Sequence, residues 1–300
     1  MTGADAPRPF RVATEDGLEL AGESHLPAPA RPTPAPPRAN LLLVHGFAEH
    51  RKRYRGLAAE LAGAGYAVHL FDLRGHGESG GRRGHVERFA DYRGDLARVA
   101  AAVLPAPDEA GAGPPAVLLG HSLGGLIALD AVLRRPEPFR GLALSSPFLA
   151  SAFRLPPFVR AVAGATARLL PEADFPAALD PEGLSRDPEV VRRYREDPLV
   201  LRRLTAAWLG AVLDAQAEVF ERAGELRLPV LLLLGGADPV ADPARGRALF
   251  ERLAANPANR LEVYEGFSHE VFNELGRERV VADLLEWLGG GPVTPASVAP

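Results

Sequence analysis

The chain has 300 residues, 47% of them hydrophobic, with a net charge of -4. That length and apolar content suit one large α/β domain with room for an insertion, and the mild acidity offers no basic face to a nucleic acid. The sequence has no cysteine, which excludes disulfides, thiolate chemistry and cysteine metal sites.

The opening residues Met1-Thr2-Gly3-Ala4-Asp5-Ala6 lack a basic stretch followed by an apolar one, so no signal peptide is expected. No window of about 18 residues is free of polar groups, so no membrane-spanning helix is expected either. A cytoplasmic location is the resulting expectation. Arg11–Thr14 and Leu18–Ser24 read as strands joined by an Asp16-Gly17 turn. Residues 27–38 carry six prolines and read as an extended surface loop. Asn40-Leu41-Leu42-Leu43-Val44 is a continuous apolar run, as in a strand covered on both faces. Tyr54–Ala64 reads as a helix, Tyr66–Phe71 as a strand and Phe89–Leu104 as a helix. The run from Ala116 leads through Gly120-His121-Ser122-Leu123-Gly124 into a helical pattern. Gly141–Leu144 reads as the next strand. From Phe148 to Leu226 only helical patterns are found, including one starting at Asp187-Pro188-Glu189 and one over Leu201–Ala223. Strands resume at Val230–Leu234 and Arg260–Tyr264, and Asp283–Leu288 ends the last helix.

Alternating strands and helices predict a mostly parallel central sheet flanked by helices. The expected division is a core over residues 1–146 and 227–288, an all-helical insertion over 147–226, and a disordered tail over 289–300.

Gly-x-Ser-x-Gly between a strand and a helix is the nucleophile elbow of the α/β-hydrolase fold. The turn holds its serine in a strained conformation, and glycines at 120 and 124 leave room for it. A serine hydroxyl needs a base, usually an imidazole oriented by a carboxylate. In this fold the acid and then the histidine follow the serine on loops after later strands. Asp238 follows the Val230 strand, and His269 follows the Arg260 strand. Two histidines lie beyond Leu104, and His121 adjoins the nucleophile within the turn, leaving His269 as base. The expected triad is therefore Ser122, Asp238 and His269, with Asp242-Pro243 an ordinary helix cap. The oxyanion needs preorganised donors, expected from the backbone N–H groups of Leu123 and Phe47. Glu49-His50 and His76-Gly77-Glu78 lack metal-ligand spacing, so no metal or other cofactor is expected. Asp72 and Arg74 read as an ion pair bracing their loop.

Several of these stretches together resemble one family. They are His45-Gly46-Phe47-Ala48-Glu49-His50, Asp72-Leu73-Arg74-Gly75-His76-Gly77-Glu78-Ser79, Arg83-Gly84-His85-Val86 and Gly120-His121-Ser122-Leu123-Gly124-Gly125. The chain is similar through them to the monoacylglycerol lipase and lysophospholipase family of serine hydrolases. The resemblance implies an ester hydrolase acting on acyl-ester lipids, with the insertion forming a cap over an acyl tunnel. Phe148, Leu149, Phe153, Phe158 and Val162 are the expected acyl-contacting residues, and the rim of the cap is expected to touch micelles or membrane surfaces. Two other readings stay open: a different reaction on the same fold, such as proline-type aminopeptidase or acyl transfer, and a ligand receptor without catalysis.

Overall fold

A computed structural model of the chain describes residues 6–28, 36–105, 113–152, 165–177 and 179–290. The sheet begins with an antiparallel hairpin, β1 (Arg8–Ala13) and β2 (Glu19–His25). Its turn closes with Thr14 N–H donating to Leu18 O at 2.8 Å, and Gly17 supplies the positive φ of 81°. The remaining sheet strands are β3 (Asn40–Val44), β4 (Ala67–Phe71), β5 (Ala116–His121), β6 (Phe139–Ser145), β9 (Val230–Gly235) and β10 (Arg260–Tyr264). The spatial order is β1-β2-β4-β3-β5-β6-β9-β10. Pairing is parallel from β4 onward and antiparallel at β2.

Strands β3, β4, β5 and β9 are buried along their whole length because helices cover both faces. Alternate residues feed different cores. Leu42 and Val44 join the cluster holding α2 (Phe89–Val103), α3 (Leu123–Arg134), α5 (Ala206–Arg222) and α6 (Pro243–Arg252). Leu41 and Leu43 join the cluster holding α1 (Arg55–Gly63) and α7 (Glu278–Gly290). This two-faced packing sets the parallel strands side by side, so that their carboxyl ends form one edge where loops gather.

The segment between β6 and β9 departs from the all-helical expectation. It contains two three-residue strands, β7 (Asp174–Pro176) and β8 (Arg203–Thr205), paired antiparallel. The helix expected from Leu201 begins only at Ala206, because Arg203–Thr205 is extended and the Thr205 hydroxyl caps the helix. Residues 165–169 are helical, and α4 (Pro188–Glu196) starts at Asp187, whose carboxylate accepts from Glu189 N–H. Helix α5 sends Trp208, Val212 and Val219 into the main core. Phe153, Phe158 and Val162 lie outside the described residues. The tail expected over 289–300 is likewise outside them from residue 291, and α7 takes in Gly289 and Gly290.

Candidate active site

Ser122 stands at the junction of β5 and α3 with φ 51° and ψ -118°. A side chain in that region costs about 1–3 kcal/mol, and persists only where its surroundings impose it. Here they do. A Cβ on Gly120 would overlap Gly124 O, and one on Gly124 would overlap Val44 O and His45 O. Ser122 N–H donates to Ser145 O at 3.0 Å, and Ser122 O accepts from Phe148 N–H at 2.9 Å. The turn is thus bonded to β6 and to the segment after it.

Asp238 and His269 arrive from the loops after β9 and β10. His269 Nδ1 lies 2.7 Å from Asp238 Oδ2. The other carboxylate oxygen accepts from Val240 N–H at 2.8 Å and Ala241 N–H at 3.0 Å. A carboxylate only accepts, so the shared proton sits on Nδ1 and the neutral ring keeps its lone pair on Nε2. Burial disfavours charge on the His269 ring, but the charge and hydrogen bond of Asp238, with Glu270 and Glu49 behind them, outweigh it and raise the pKa. His121 differs. Its ring centroid is 4.8 Å from that of His269 and its Nδ1 is 3.1 Å from Ser145 Oγ. Burial, then the nearby His269 and Arg53 charges, push its pKa well below the ordinary histidine value, so it stays neutral. Asp242 caps α6, accepting from Ala244 N–H at 2.9 Å.

Ser122 and His269 line one cavity of about 960 Å³. Phe47, Phe148 and Leu149 line it as well, and Trp208, Leu209, Val212 and Leu213 extend its apolar wall along α5. Leu123 is the first residue of α3, where backbone N–H groups have no intrahelical partner. Phe47 follows Gly46, at which a Cβ would stand only 2.9 Å from Ser122 Cβ. The loop after β3 therefore passes directly beside the nucleophile candidate.

That loop is held from below. His45 Nε2 accepts from Leu73 N–H at 3.0 Å while Nδ1 bonds Gly46 O at 2.7 Å. Burial pushes the His45 pKa down to about 3, keeping the ring neutral as this pair of bonds requires. Glu49 accepts from Gly46 N–H and, at 2.8 Å, from Tyr54 Oη–H. Arg53 lies between Glu49, at 3.4 Å, and Glu270, whose Oε1 is 2.7 Å away. Its guanidinium also covers the Tyr194 ring of α4, 4.9 Å from the centroid. Burial raises the Glu49 pKa, with Glu270 adding to it against Arg53. His50 Nε2 reaches Asp197 at 2.8 Å. Glu49-His50 is thus a brace between the β3 loop, the histidine loop and the inserted segment. Reading the sequence missed Arg53 and Glu270. The Glu49-to-Arg53 spacing of four residues was the one available signal.

The expected Asp72–Arg74 pair is not formed. Asp72 pairs with Arg51 and accepts from Arg51 N–H and Glu78 N–H, each at 2.8 Å. Arg74 turns the other way, to Asp95 at 2.6 Å and Asp16 at 2.9 Å. Neighbouring loop side chains point apart, so each finds a partner distant in sequence. Among the described residues no group of three or more His, Asp or Glu is placed to hold a metal ion.

The family model described as serine aminopeptidase S33 matches residues 35–276. Monoacylglycerol lipase of Mycolicibacterium smegmatis is 34% identical over 253 residues, 84% of this chain and 88% of that protein. Human monoglyceride lipase is 32% identical over 268 residues, 88% of this chain and 86% of its own. The crystal structure of Paleococcus ferrophilus monoacylglycerol lipase is 32% identical and superposes with a TM-score of 0.77 over 94% of this chain and 98% of that one. A soluble variant of monoglyceride lipase from Saccharomyces cerevisiae, with a substrate analog, shares the fold at 22% identity and a TM-score of 0.83, over 98% of this chain and 99% of its own.

Proposed function

For a chain that belongs to this family and is a serine hydrolase of the esterase and lipase type, we propose single-acyl lipid esters as substrates, monoacylglycerols or lysophospholipids, cleaved through an acyl-enzyme on Ser122. The observation that carries this reading is the oriented Asp238–His269 pair opening onto the same apolar cavity as a serine on a strained turn.

In this reading His269 Nε2 takes the Ser122 proton as Oγ attacks the ester carbonyl. Asp238 fixes the ring and stabilises the imidazolium that forms. The N–H groups of Phe47 and Leu123 receive the oxyanion, each worth about 3 kcal/mol. The imidazolium then protonates the leaving alcohol. Water attacks the acyl-enzyme with His269 again as base, and the free acid leaves. The acyl chain lies along Phe148, Leu149 and the α5 wall, gaining about 0.8 kcal/mol for each methylene buried.

Residues 147–226 serve as the cap in this account. Leu169 is 79% exposed, Leu170 64% and Phe175 40%. Phe175 also lines the cavity, so the same rim offers a surface for a micelle or bilayer. A cytoplasmic enzyme meeting membranes transiently fits this arrangement. Among the described residues no helix is long and apolar enough to cross a membrane.

The aminopeptidase reading meets an obstacle on the cavity wall. An aminopeptidase must hold an ammonium group, usually with a carboxylate. The wall carboxylates are engaged, Glu49 and Glu270 with Arg53 and Asp242 with its helix. A panel of monoacylglycerols, lysophospholipids and aminoacyl-proline amides separates the readings. Efficiency on glycerol monoesters is expected to rise from two-carbon to medium acyl chains, with no measurable amide cleavage. A flat chain-length profile, or preferred amide cleavage, contradicts the proposal.

A further inference from the structure

The Arg83-Gly84-His85-Val86 stretch lies outside the catalytic constellation, yet the structure gives it a specific connection to it. Gly84 has φ 64°, and a Cβ there would overlap Arg203 O on β8. Only glycine lets the two backbones meet this closely. Gly84 O accepts from Thr205 N–H at 3.0 Å, and His85 Nδ1 lies 2.9 Å from Thr205 Oγ1. The Thr205 hydroxyl is fully buried and accepts from Trp208 N–H at 3.3 Å, capping α5. The Trp208 ring packs on Phe47 with centroids 4.2 Å apart and planes tilted by 40°. Phe47 also meets His76 edge to face, with ring centroids 5.5 Å apart.

We infer that the Gly84-His85 turn is a positioning joint for hydrolysis: through Thr205 it fixes where α5 begins, and through Trp208 it fixes Phe47 and the N–H that receives the oxyanion. This rests on the reading of Phe47 N–H as an oxyanion donor. The physical argument is one of tolerance. An oxyanion donor works only when it is held about 2.7–3.1 Å from the developing charge, a window of a few tenths of an ångström. Phe47 sits in a loop, and its ring is the lever by which packing holds that loop. Trp208 stands one helical turn from the Thr205 cap, so a shift of the cap moves the indole directly. Thr205, His85 and Gly84 do not line the cavity, whereas Phe47 and Trp208 do. The joint therefore acts on transition-state stabilisation without touching substrate.

The test uses a two-carbon ester, too short to read the acyl wall. Thr205→Val keeps the shape and removes the hydroxyl. It is expected to lower kcat about tenfold to a hundredfold with KM within about twofold of the parent. Thr205→Ser, which restores the hydroxyl, is expected to recover kcat to within about threefold. His85→Ala, at a half-buried position, lowers kcat in the same direction by about fivefold and carries the test if Thr205→Val does not fold. Trp208 provides a second readout, since Trp287 is the only other tryptophan. In a Trp287→Phe background, Trp208 emission is expected to shift in Thr205→Val and return in Thr205→Ser. Parent-like kcat in both Thr205→Val and His85→Ala, a loss confined to KM, or failure of serine to rescue overturns the joint. Ser122→Ala in the same assay keeps the two readings apart. Turnover by that variant refutes the site assignment itself, whereas a dead Ser122→Ala beside normal Thr205→Val and His85→Ala refutes the joint alone.

Discussion

The elbow wall of the cavity and the wall built from residues 165–205 enclose the same space but are held by different forces. At the elbow, backbone meets backbone, and Gly120 and Gly124 leave no room for a side chain. Beneath it Arg53 lies between two buried carboxylates. On the opposite wall the strands are three residues long. Exposed pairs such as Arg82–Glu172 and Arg192–Glu196 decorate it, and such pairs contribute little in water. The chemistry side is fixed by sterics and buried charge, while the outer part of the opposite wall, beyond the buried Thr205 and the core-packed α5, is held by solvent-screened contacts. Bond-making needs positions held to a fraction of an ångström. A wall that accepts acyl chains of different length needs less.

The sharpest way to break this contrast is at the nucleophile. Ser122→Ala is expected to leave the thermal midpoint near the parent value and lower kcat by about five to six decades. Activity within tenfold of the parent removes Ser122 from its role. Next comes the acid. Asp238→Asn leaves the ring in the wrong tautomer and is expected to lower kcat by three to four decades, roughly the cost of that error elsewhere. Asp242→Asn, at a helix cap facing the same cavity, is expected to stay within about threefold. A reversal of these two effects makes Asp242 the acid.

Much of this was legible in the sequence because burial writes itself into composition. A strand covered on both faces reads as an unbroken apolar run, as in Asn40–Val44 and Val230–Leu234. The elbow was legible because its sterics demand glycine at fixed offsets. Asp238 was legible because it follows such a strand, and His269 because it follows the alternating strand Arg260–Tyr264. Strands β7 and β8 were not: each is only three residues long, Thr205 alone among the six is buried, and they pair with each other across the inserted segment. Arg53 and Glu270 were not either, since 217 positions separate them and each alone resembles a surface charge. The Asp72–Arg74 expectation failed for the same reason, as long-range partners outcompete the neighbour.

Stability offers a milder test of the same contrast. Arg53→Met leaves Glu49 and Glu270 buried without their cation, and is expected to cost about 3–5 kcal/mol in denaturant unfolding. Arg192→Ala, at an exposed position on α4, is expected to leave the unfolding midpoint unchanged. Equal losses would show that the two walls are not held differently.

The smallest effect is a shift along the pH axis. His269 accepts a proton only when neutral. Burial lowers its pKa, but Asp238 raises it further, so the net position lies above the ordinary value of about 6.5. Then kcat/KM rises with pH along a limb centred above that value. In Asp238→Asn the raising charge is gone and burial remains, so the limb is expected to move to lower pH. A limb that stays in place assigns the titration to another group.

The central claim is that Ser122, activated by His269 and Asp238, is the nucleophile of an ester hydrolase. The most direct measurement is labelling of the intact chain with a fluorophosphonate, mapped by peptide mass spectrometry and followed in parallel by monoacylglycerol hydrolysis. One label per chain is expected, on Ser122, with hydrolysis lost in step and labelling strongly slowed in Asp238→Asn. A label on another residue, or hydrolysis that persists after Ser122 is fully modified, contradicts it.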